Sequence, residues 1–572
     1  MTDRLSIAIA QLDPTVGDIA GNLAKLRTAR DEAARLGADL VVAPELYVAG
    51  YPPEDLVLKP AFVAACQDAV REFARETATG PAVLMGTPWR QDGKVYNAAV
   101  LADGGAVAAL RFKYDLPNYG VFDEKRVFSA GPCPGPIPFR GVRLGVMVCE
   151  DMWSVDATET LAESGAELLL VINGSPFESD KRDTRVTLAV ARVTESGLPL
   201  LYVNQVGGQD ELVFDGASFA LDANCALKIQ APCWREALIL TEWTRGADGR
   251  WSVAPGTMAP PSEGTEAIYQ ALVLGLRDYV RKNRFPGVVL GLSGGIDSAL
   301  TAALAVDALG ADRVHCVMMP SPYTSRDSLE DAGLVASLLG AELRSIDIGP
   351  AMRALGDMLA QSFAGCAPDI TEENIQSRAR GVTLMALSNK FGWMVLSTGN
   401  KSEMSAGYAT LYGDMCGGYA VLKDVYKMTV FELSRWRNAH RPPGLLGPSG
   451  AVMPERVITK PPSAELKPDQ KDQDTLPPYE VLDDILHCLV EREMTVAEIA
   501  AKGHDEAMVR SVWRMLDRAE YKRRQAPPGV KITSRAFGRD RRYPITNAFQ
   551  DSGAAPARDS ADAPRAPAPQ PT

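Results

Sequence analysis

GVVLGLSGGIDSAL, residues 287–300, reads as a short apolar strand, a glycine turn and the start of a helix. The run Val288–Leu290 suits a strand buried on both faces, and the residues after Gly295 carry a helical apolar pattern. Ser293, Gly294 and Gly295 form the break between them. Glycines there let backbone amides approach an anion, and a helix N-terminus adds positive potential. No Lys-Ser or Lys-Thr pair follows, so this is not a Walker A loop. Asp297 is a hard oxygen donor suited to a cation that bridges phosphates, although its simplest role is to cap the helix. Glycines alone would signal only a tight turn.

The same alternation continues outward from this stretch. Thr265 to Asn283 is an amphipathic helix pattern, Ser298 to Leu309 a second and Asn374 to Phe391 a third, with strands expected at VHCVMMP, LRSIDI and WMVLST. Strand and helix in alternation predict a parallel sheet covered by helices. Before it lies a Pro- and Gly-rich stretch, and residues 251–263 are taken as a linker between domains at 1–250 and 264–549. Residues 550–572, poor in bulky apolar side chains and rich in Ala and Pro, are expected to be disordered.

The first half opens with LSIAIAQL, a helical stretch from Asn22 to Leu36, and ADLVVAPEL. Strand candidates recur at AVLMGTP, VRLGVMVC, AELLLVIN and LPLLYVNQ. In VRLGVMVCEDMW, Cys149 stands where a strand gives way to a polar turn. A buried small hydrophobe is the plain reading of one cysteine. A thiol nucleophile needs a base and a stabiliser for the oxyanion it creates. The histidines, His315, His440, His487 and His504, all lie in the other half, so Glu45 and Lys113 are the candidates beside it.

The chain has 572 residues, 46% apolar and 23% charged, enough for two globular domains with cores of their own. Its net charge of −12 argues against a nucleic-acid or anionic-membrane surface. Nine scattered cysteines without a CxxC pair suggest neither a disulfide framework nor a zinc site, and fit a reducing cytoplasm. The largely apolar run near the N-terminus is too short for a signal peptide or a membrane span.

PELYVAGYPPEDL, KYDLPNYGVFDEKRVF and VCEDMW, in that order and spacing, resemble the nitrilase-type carbon-nitrogen hydrolases, and most of all the glutaminase domain of glutamine-dependent NAD synthetases. SGGIDS resembles the pyrophosphate loop of ATP pyrophosphatases, while NIQSRARG, STGNKSE, YGDMCGGYAVLKDVYK, KPPSAEL and EYKRRQAPPGVK resemble the NAD synthetase family. The resemblance implies an α/β protein with a nitrilase-type α-β-β-α sandwich followed by a Rossmann-like parallel-sheet adenine nucleotide hydrolase fold. It implies that Glu45 is the base toward Cys149, that Lys113 holds the developing charge, that Glu124 is a second acid, and that Tyr119, Ser175 and Lys181 hold glutamine. In the second half it assigns ATP to Gly291, Leu292, Ser293, Gly294, Gly295, Ile296, Asp297, Ser298 and Thr398. Asn374, Glu403 and Lys522 would bind deamido-NAD, with Asp297 and Glu403 on Mg2+. L-glutamine, ATP and deamido-NAD are the implied substrates, and a homo-oligomer, an octamer, the implied assembly. The rival readings are another glutamine amidotransferase with the same loop, a plain nitrilase or amidase fused to an inactive domain, and a non-catalytic nucleotide-binding scaffold.

Overall fold

The computed structural model describes residues 3–179, 181–467 and 470–549. The tail at 550–572, expected to be disordered, lies outside the described residues. The chain divides after Ser262 into two compact units.

In the first unit, a seven-stranded sheet runs in the order Trp251–Val253, Ala237–Arg245, Arg4–Gln11, Leu40–Val42, Ala82–Gln91, Lys94–Asp103, Ala106–Phe112. A six-stranded sheet runs Leu227–Gln230, Phe219–Leu221, Leu200–Asn204, Leu168–Asn173, Val142–Val148, Ile137–Phe139. The pleat sends alternate side chains to opposite faces. Leu5, Ile7 and Ile9 therefore join Leu144, Val146 and Val148 in a core between the sheets. Ala8 and Ala10 instead pack with residues of the helices Ile19–Arg35 and Pro60–Glu76. Met147, Leu169 and Val171 meet the helices Val155–Glu163 and Lys181–Ser196 on the far side. The layers are α-β-β-α.

Trp251–Val253, placed in the linker, is an edge strand antiparallel to Ala237–Arg245, with Trp251 buried in the inter-sheet core. Lys94–Asp103 and Ala106–Phe112 form an antiparallel extension that went unread, because Ala-rich runs signal strand only weakly.

The second unit holds a five-stranded parallel sheet in the order Glu342–Ser345, Val314–Met318, Val288–Gly291, Met394–Ser397, Tyr419–Ala420. From Val288–Gly291 the chain adds two strands on one side, then returns to the other. The topological switch point thus lies between Val288–Gly291 and Met394–Ser397, where open α/β sheets bind ligands beyond the strands' carboxyl ends. The loops after these two strands are Leu292–Gly295 and Thr398–Asn400. Helix Ile296–Leu309 is Ala-rich and buried nearly throughout, which lets Gly264–Lys282, Arg326–Leu339 and Lys427–Ala439 pack around it. A further apolar cluster ties Tyr479–Val490, Val496–Ala501 and Glu506–Arg518 together. Among the described residues no helix is long and apolar enough to cross a membrane.

Candidate functional site

Each unit builds one chemical constellation. In the first, Cys149 follows the strand Val142–Val148 and opens a short turn, Cys149–Met152, with φ of +46°. Left-handed backbone is rare in a non-glycine residue and concentrates where function requires an exposed angle. Cys149 itself is buried. Glu45 follows the strand Leu40–Val42 and Lys113 follows Ala106–Phe112, so sheet pairing brings residues remote in sequence to one end of the sandwich.

The Lys113 ammonium, fully buried, donates to Glu45 Oε1 at 2.8 Å and Glu124 Oε1 at 2.9 Å. Glu45 also accepts from Asn97 Nδ2 at 2.7 Å and, through Oε2, from the Gly174 amide at 2.8 Å. Three donors thus hold this buried carboxylate rigid. Tyr51 OH donates to Glu124 Oε1 at 3.3 Å.

Burial would lower the Lys113 ammonium's pKa, but the carboxylates of Glu124 and Glu45 outweigh it and hold it well above its ordinary value. Burial pushes the Glu124 carboxyl up to about 7, against the pull of Lys113. The Cys149 thiol is raised well above its usual value by burial and then by Glu45, with Lys113 opposing. A thiol so placed stays protonated at neutral pH and needs a base at the moment of attack.

Tyr119 OH donates to Glu150 Oε1 at 2.9 Å, and Glu150 is buried with its carboxyl raised by that burial. Ser175 is fixed from three directions: its amide donates to Asn204 Oδ1 at 3.0 Å, its hydroxyl accepts from Arg185 Nε at 3.1 Å, and its carbonyl accepts from Arg185 Nη2 at 3.1 Å. Arg185 Nη1 in turn donates to both carboxylate oxygens of Asp215, at 2.7 and 3.0 Å. Lys181 opens the helix Lys181–Ser196 with its ammonium 5.3 Å from the Phe122 ring centre and contributes to the field at Glu150.

The second constellation surrounds a cavity of about 380 Å³ lined by Gly291, Leu292, Ser293, Gly295, Ile296, Asp297, Ser298, Thr398 and Glu403, with Lys427 and Lys460 at its wall. Gly294 has φ of +82°, and a Cβ there would come within 2.2 Å of the Ser328 carbonyl oxygen, so the turn admits only glycine. The loop is stiffened from within. Ser293 N–H donates to Ser298 Oγ at 3.2 Å, Gly295 N–H to Ser293 Oγ at 3.2 Å, and Ser298 Oγ to the Gly295 carbonyl at 2.9 Å.

Asp297 Oδ1 accepts from Asn400 Nδ2 at 2.8 Å, and Oδ2 pairs with the Lys427 ammonium. Lys427 also donates to Glu403 Oε1 at 3.3 Å. Asn400 caps the helix Lys401–Ala406 reciprocally with Glu403, which fixes the carboxylate's root. Burial raises the Glu403 carboxyl to about 8, with Lys427 opposing and Asp297 and Asp472 adding.

Two carboxylates converging on one ammonium form a hard oxygen donor set that suits a magnesium ion arriving with phosphate oxygens. Among the described residues no group of three or more His, Cys, Asp or Glu is arranged to hold a metal.

Asn374 and Lys522 stand beside the cavity and do not line it. Asn374 Oδ1 accepts from Thr410 Oγ1 at 2.9 Å, and Lys522 donates to the Gly407 and Ala409 carbonyls at 2.7 Å each. Both thus hold the segment around Tyr408, which does line it. Sequence reasoning did not single out Asn97, Glu150, Asp151, Asn400, Lys427 or Asp472. All but Asn97 and Asp472 sit inside the quoted motifs, so the signal was present and only its spatial sense was missing.

A carbon-nitrogen hydrolase family model matches residues 6–251, and an NAD synthase model matches residues 268–526. The chain is 51% identical over 551 residues to a glutamine-dependent NAD(+) synthetase of Rhodobacter capsulatus, covering 96% of this chain and 100% of that one. With the Thermotoga maritima protein of the same name it shares 43% over 580 residues, covering 96% and 99%. A solved Acinetobacter baumannii glutamine-dependent NAD+ synthetase in complex with ADP is 44% identical, with a TM-score of 0.76 and coverage of 96% and 99%.

Proposed function

The chain belongs to the glutamine-dependent NAD(+) synthetase family, and from that premise we propose how its residues divide the reaction. The family activity is an ATP-dependent amidation: deamido-NAD, ATP, glutamine and water give NAD+, AMP, pyrophosphate and glutamate. One observation carries the reading. A single chain holds a sealed thiol with its own carboxylate and ammonium in one unit, and a glycine-cradled cavity with two carboxylates in the other.

In the first unit Glu45 takes the thiol proton as Cys149 attacks the side-chain amide carbon of glutamine. Lys113 stabilises the oxyanion, ammonia leaves, and water then releases glutamate from the thioester. Glu124 shares the ammonium with Glu45 and keeps it charged. Tyr119, Ser175 and Lys181 hold the amino acid, with Lys181 opposite its α-carboxylate. Glu150, a buried carboxylate whose one hydrogen bond among the described residues comes from Tyr119, is the matching group for the α-ammonium.

In the second unit the nicotinate carboxylate attacks the α-phosphorus of ATP, pyrophosphate departs, and ammonia displaces AMP from the acyl-adenylate. The loop Ser293–Ser298, with Gly291, Leu292 and Thr398, binds ATP, and Asn374, Glu403 and Lys522 serve deamido-NAD. Asp297 and Glu403 are the residues that would hold Mg2+, which neutralises phosphate charge when bound. Lys427 keeps the two carboxylates apart and oriented.

The assembly is a homo-oligomer, an octamer, and the compartment a reducing cytoplasm, in keeping with nine free cysteines. Sedimentation velocity reads the first. The reaction itself is tested by the product spectrum from deamido-NAD, ATP, magnesium and glutamine. NAD+, AMP and pyrophosphate in equal amounts are expected; ATP consumption without a dinucleotide amide overturns the reading.

A further inference from the structure

Asp151 lies two residues beyond Cys149 and is almost wholly buried. Its Oδ1 accepts the backbone N–H groups of Tyr114 and Asp115, each at 2.9 Å, and its Oδ2 accepts the Val148 N–H at 2.9 Å. Tyr114 follows Lys113 directly, and Val148 directly precedes Cys149. A second tie runs alongside, from the Ser154 hydroxyl to the Asp115 carboxylate. One carboxylate therefore grips the backbone on both sides of the thiol–ammonium pair.

A carboxylate buried only to fill space would be unfavourable, and burial does push the Asp151 carboxyl up to about 7, with backbone N–H groups of Asp115, Val148 and Tyr114 pulling it back. Three charge-assisted bonds from fixed amides are directional, which a packed apolar side chain cannot be. The strand Ala106–Phe112 belongs to the seven-stranded sheet and Val142–Val148 to the six-stranded one. Without a cross-tie, the separation of Lys113 and Cys149 would depend on apolar packing between sheets, which has no fixed register.

We propose that Asp151 is a positioning residue of the glutaminase half, clamping the two sheets so that the Lys113 ammonium stands at a set distance from the Cys149 thiol. The inference rests on the assignment of Cys149 as the nucleophile. Asparagine has one acceptor oxygen where aspartate has two, so Asp151→Asn keeps the shape but releases either the Tyr114–Asp115 side or the Val148 side. The charges facing the thiol are Lys113, which lowers its pKa, and Glu45, Glu150 and Glu124, which raise it; Tyr51, Tyr119 and Tyr202 also adjoin it. Loosening the Lys113 arm therefore moves the thiol's titration upward.

The test uses the full-length enzyme and two readouts. For Asp151→Asn, glutamine-driven NAD+ formation should fall on the order of 100-fold in kcat/KM, as expected for misplacement by about 1 Å. Synthesis from ammonium salts should be unchanged. The rate of Cys149 alkylation by iodoacetamide, followed against pH, should have its midpoint shifted to higher pH. Asp151→Glu, which keeps both oxygens, should fall between wild type and Asp151→Asn in both readouts, and carries the test if the asparagine variant does not fold.

An unshifted midpoint means a merely structural role, and a downward shift means that the lost charge acts through space; either overturns the proposal. If alkylating Cys149 in the wild type leaves glutamine-driven synthesis intact, the nucleophile assignment itself fails, which is a separate outcome.

Discussion

Replacing Lys113 by methionine removes the one ammonium bonded to both Glu45 and Glu124 while keeping most of the side-chain volume. At 2.8 and 2.9 Å each ion pair has a gross attraction of roughly 6 kcal/mol at an effective dielectric constant near 20. Much of that offsets desolvation, and breaking a buried pair by removing one partner costs roughly 3–5 kcal/mol net. Two carboxylates would then face each other in a dry pocket, and one or both would take up a proton. For a unit of this size the loss lowers Tm on the order of 10 °C. Removing an oxyanion donor costs a further factor of about 100 to 1,000 in turnover. Calorimetry of the variant gives the first quantity, and NAD+ formation with glutamine against ammonium salts gives the second. A Tm change below about 2 °C together with glutamine-driven turnover within about tenfold of wild type would refute both the charge accounting and the catalytic role.

Asp297→Asn leaves Lys427 facing Glu403 alone and removes a carboxylate proposed to hold Mg2+, so pyrophosphate release should drop on the order of 100-fold or more with either nitrogen source; an unchanged burst of pyrophosphate contradicts the assignment. Glu150→Gln should erase discrimination between glutamine and glutaramate, which lacks the α-amino group, a loss of roughly 1.5–3 kcal/mol of binding for a charged hydrogen bond; an unaltered KM ratio rejects that role. The Glu124 carboxyl, raised to about 7 by burial, binds its proton more tightly folded than unfolded, so its contribution to stability falls as pH climbs from its ordinary value toward 7. Glu124→Gln should flatten that decline in denaturant titrations between pH 5 and pH 8, on the order of 1 kcal/mol per pH unit; identical slopes count against the shifted carboxyl.

Much of the scaffold was legible because its signals are local. The run Val288–Leu290, the glycine turn and the helix behind it announced a parallel sheet, and the strand does sit at the sheet's centre. Strands rich in Val, Ile and Leu, such as Leu168–Asn173, were equally plain. Lys94–Asp103 was not, because its Ala-rich sequence has little strand preference and only its hairpin partner makes it one. It carries Asn97, whose contact with Glu45 spans 52 positions and leaves no local trace.

The same limit governs the site. Glu45, Lys113 and Cys149 could be named because the motifs around them are distinctive, yet nothing in those motifs says that Lys113 is shared by two carboxylates. Lys427 sits within a quoted motif without standing out there, since a lysine that opens a helix is ordinary until folding places it between Asp297 and Glu403. Asn374 and Lys522 carry motifs that pointed to ligand contact, and in the fold both bond the segment Gly407–Thr410 beside the cavity.

Whether nitrogen is released in one unit and used in the other is decided by Cys149→Ala assayed with both nitrogen sources. No NAD+ should form from glutamine, and wild-type rates should persist with ammonium salts. Equal loss with both sources in a folded variant, or continued synthesis from glutamine, would contradict that division.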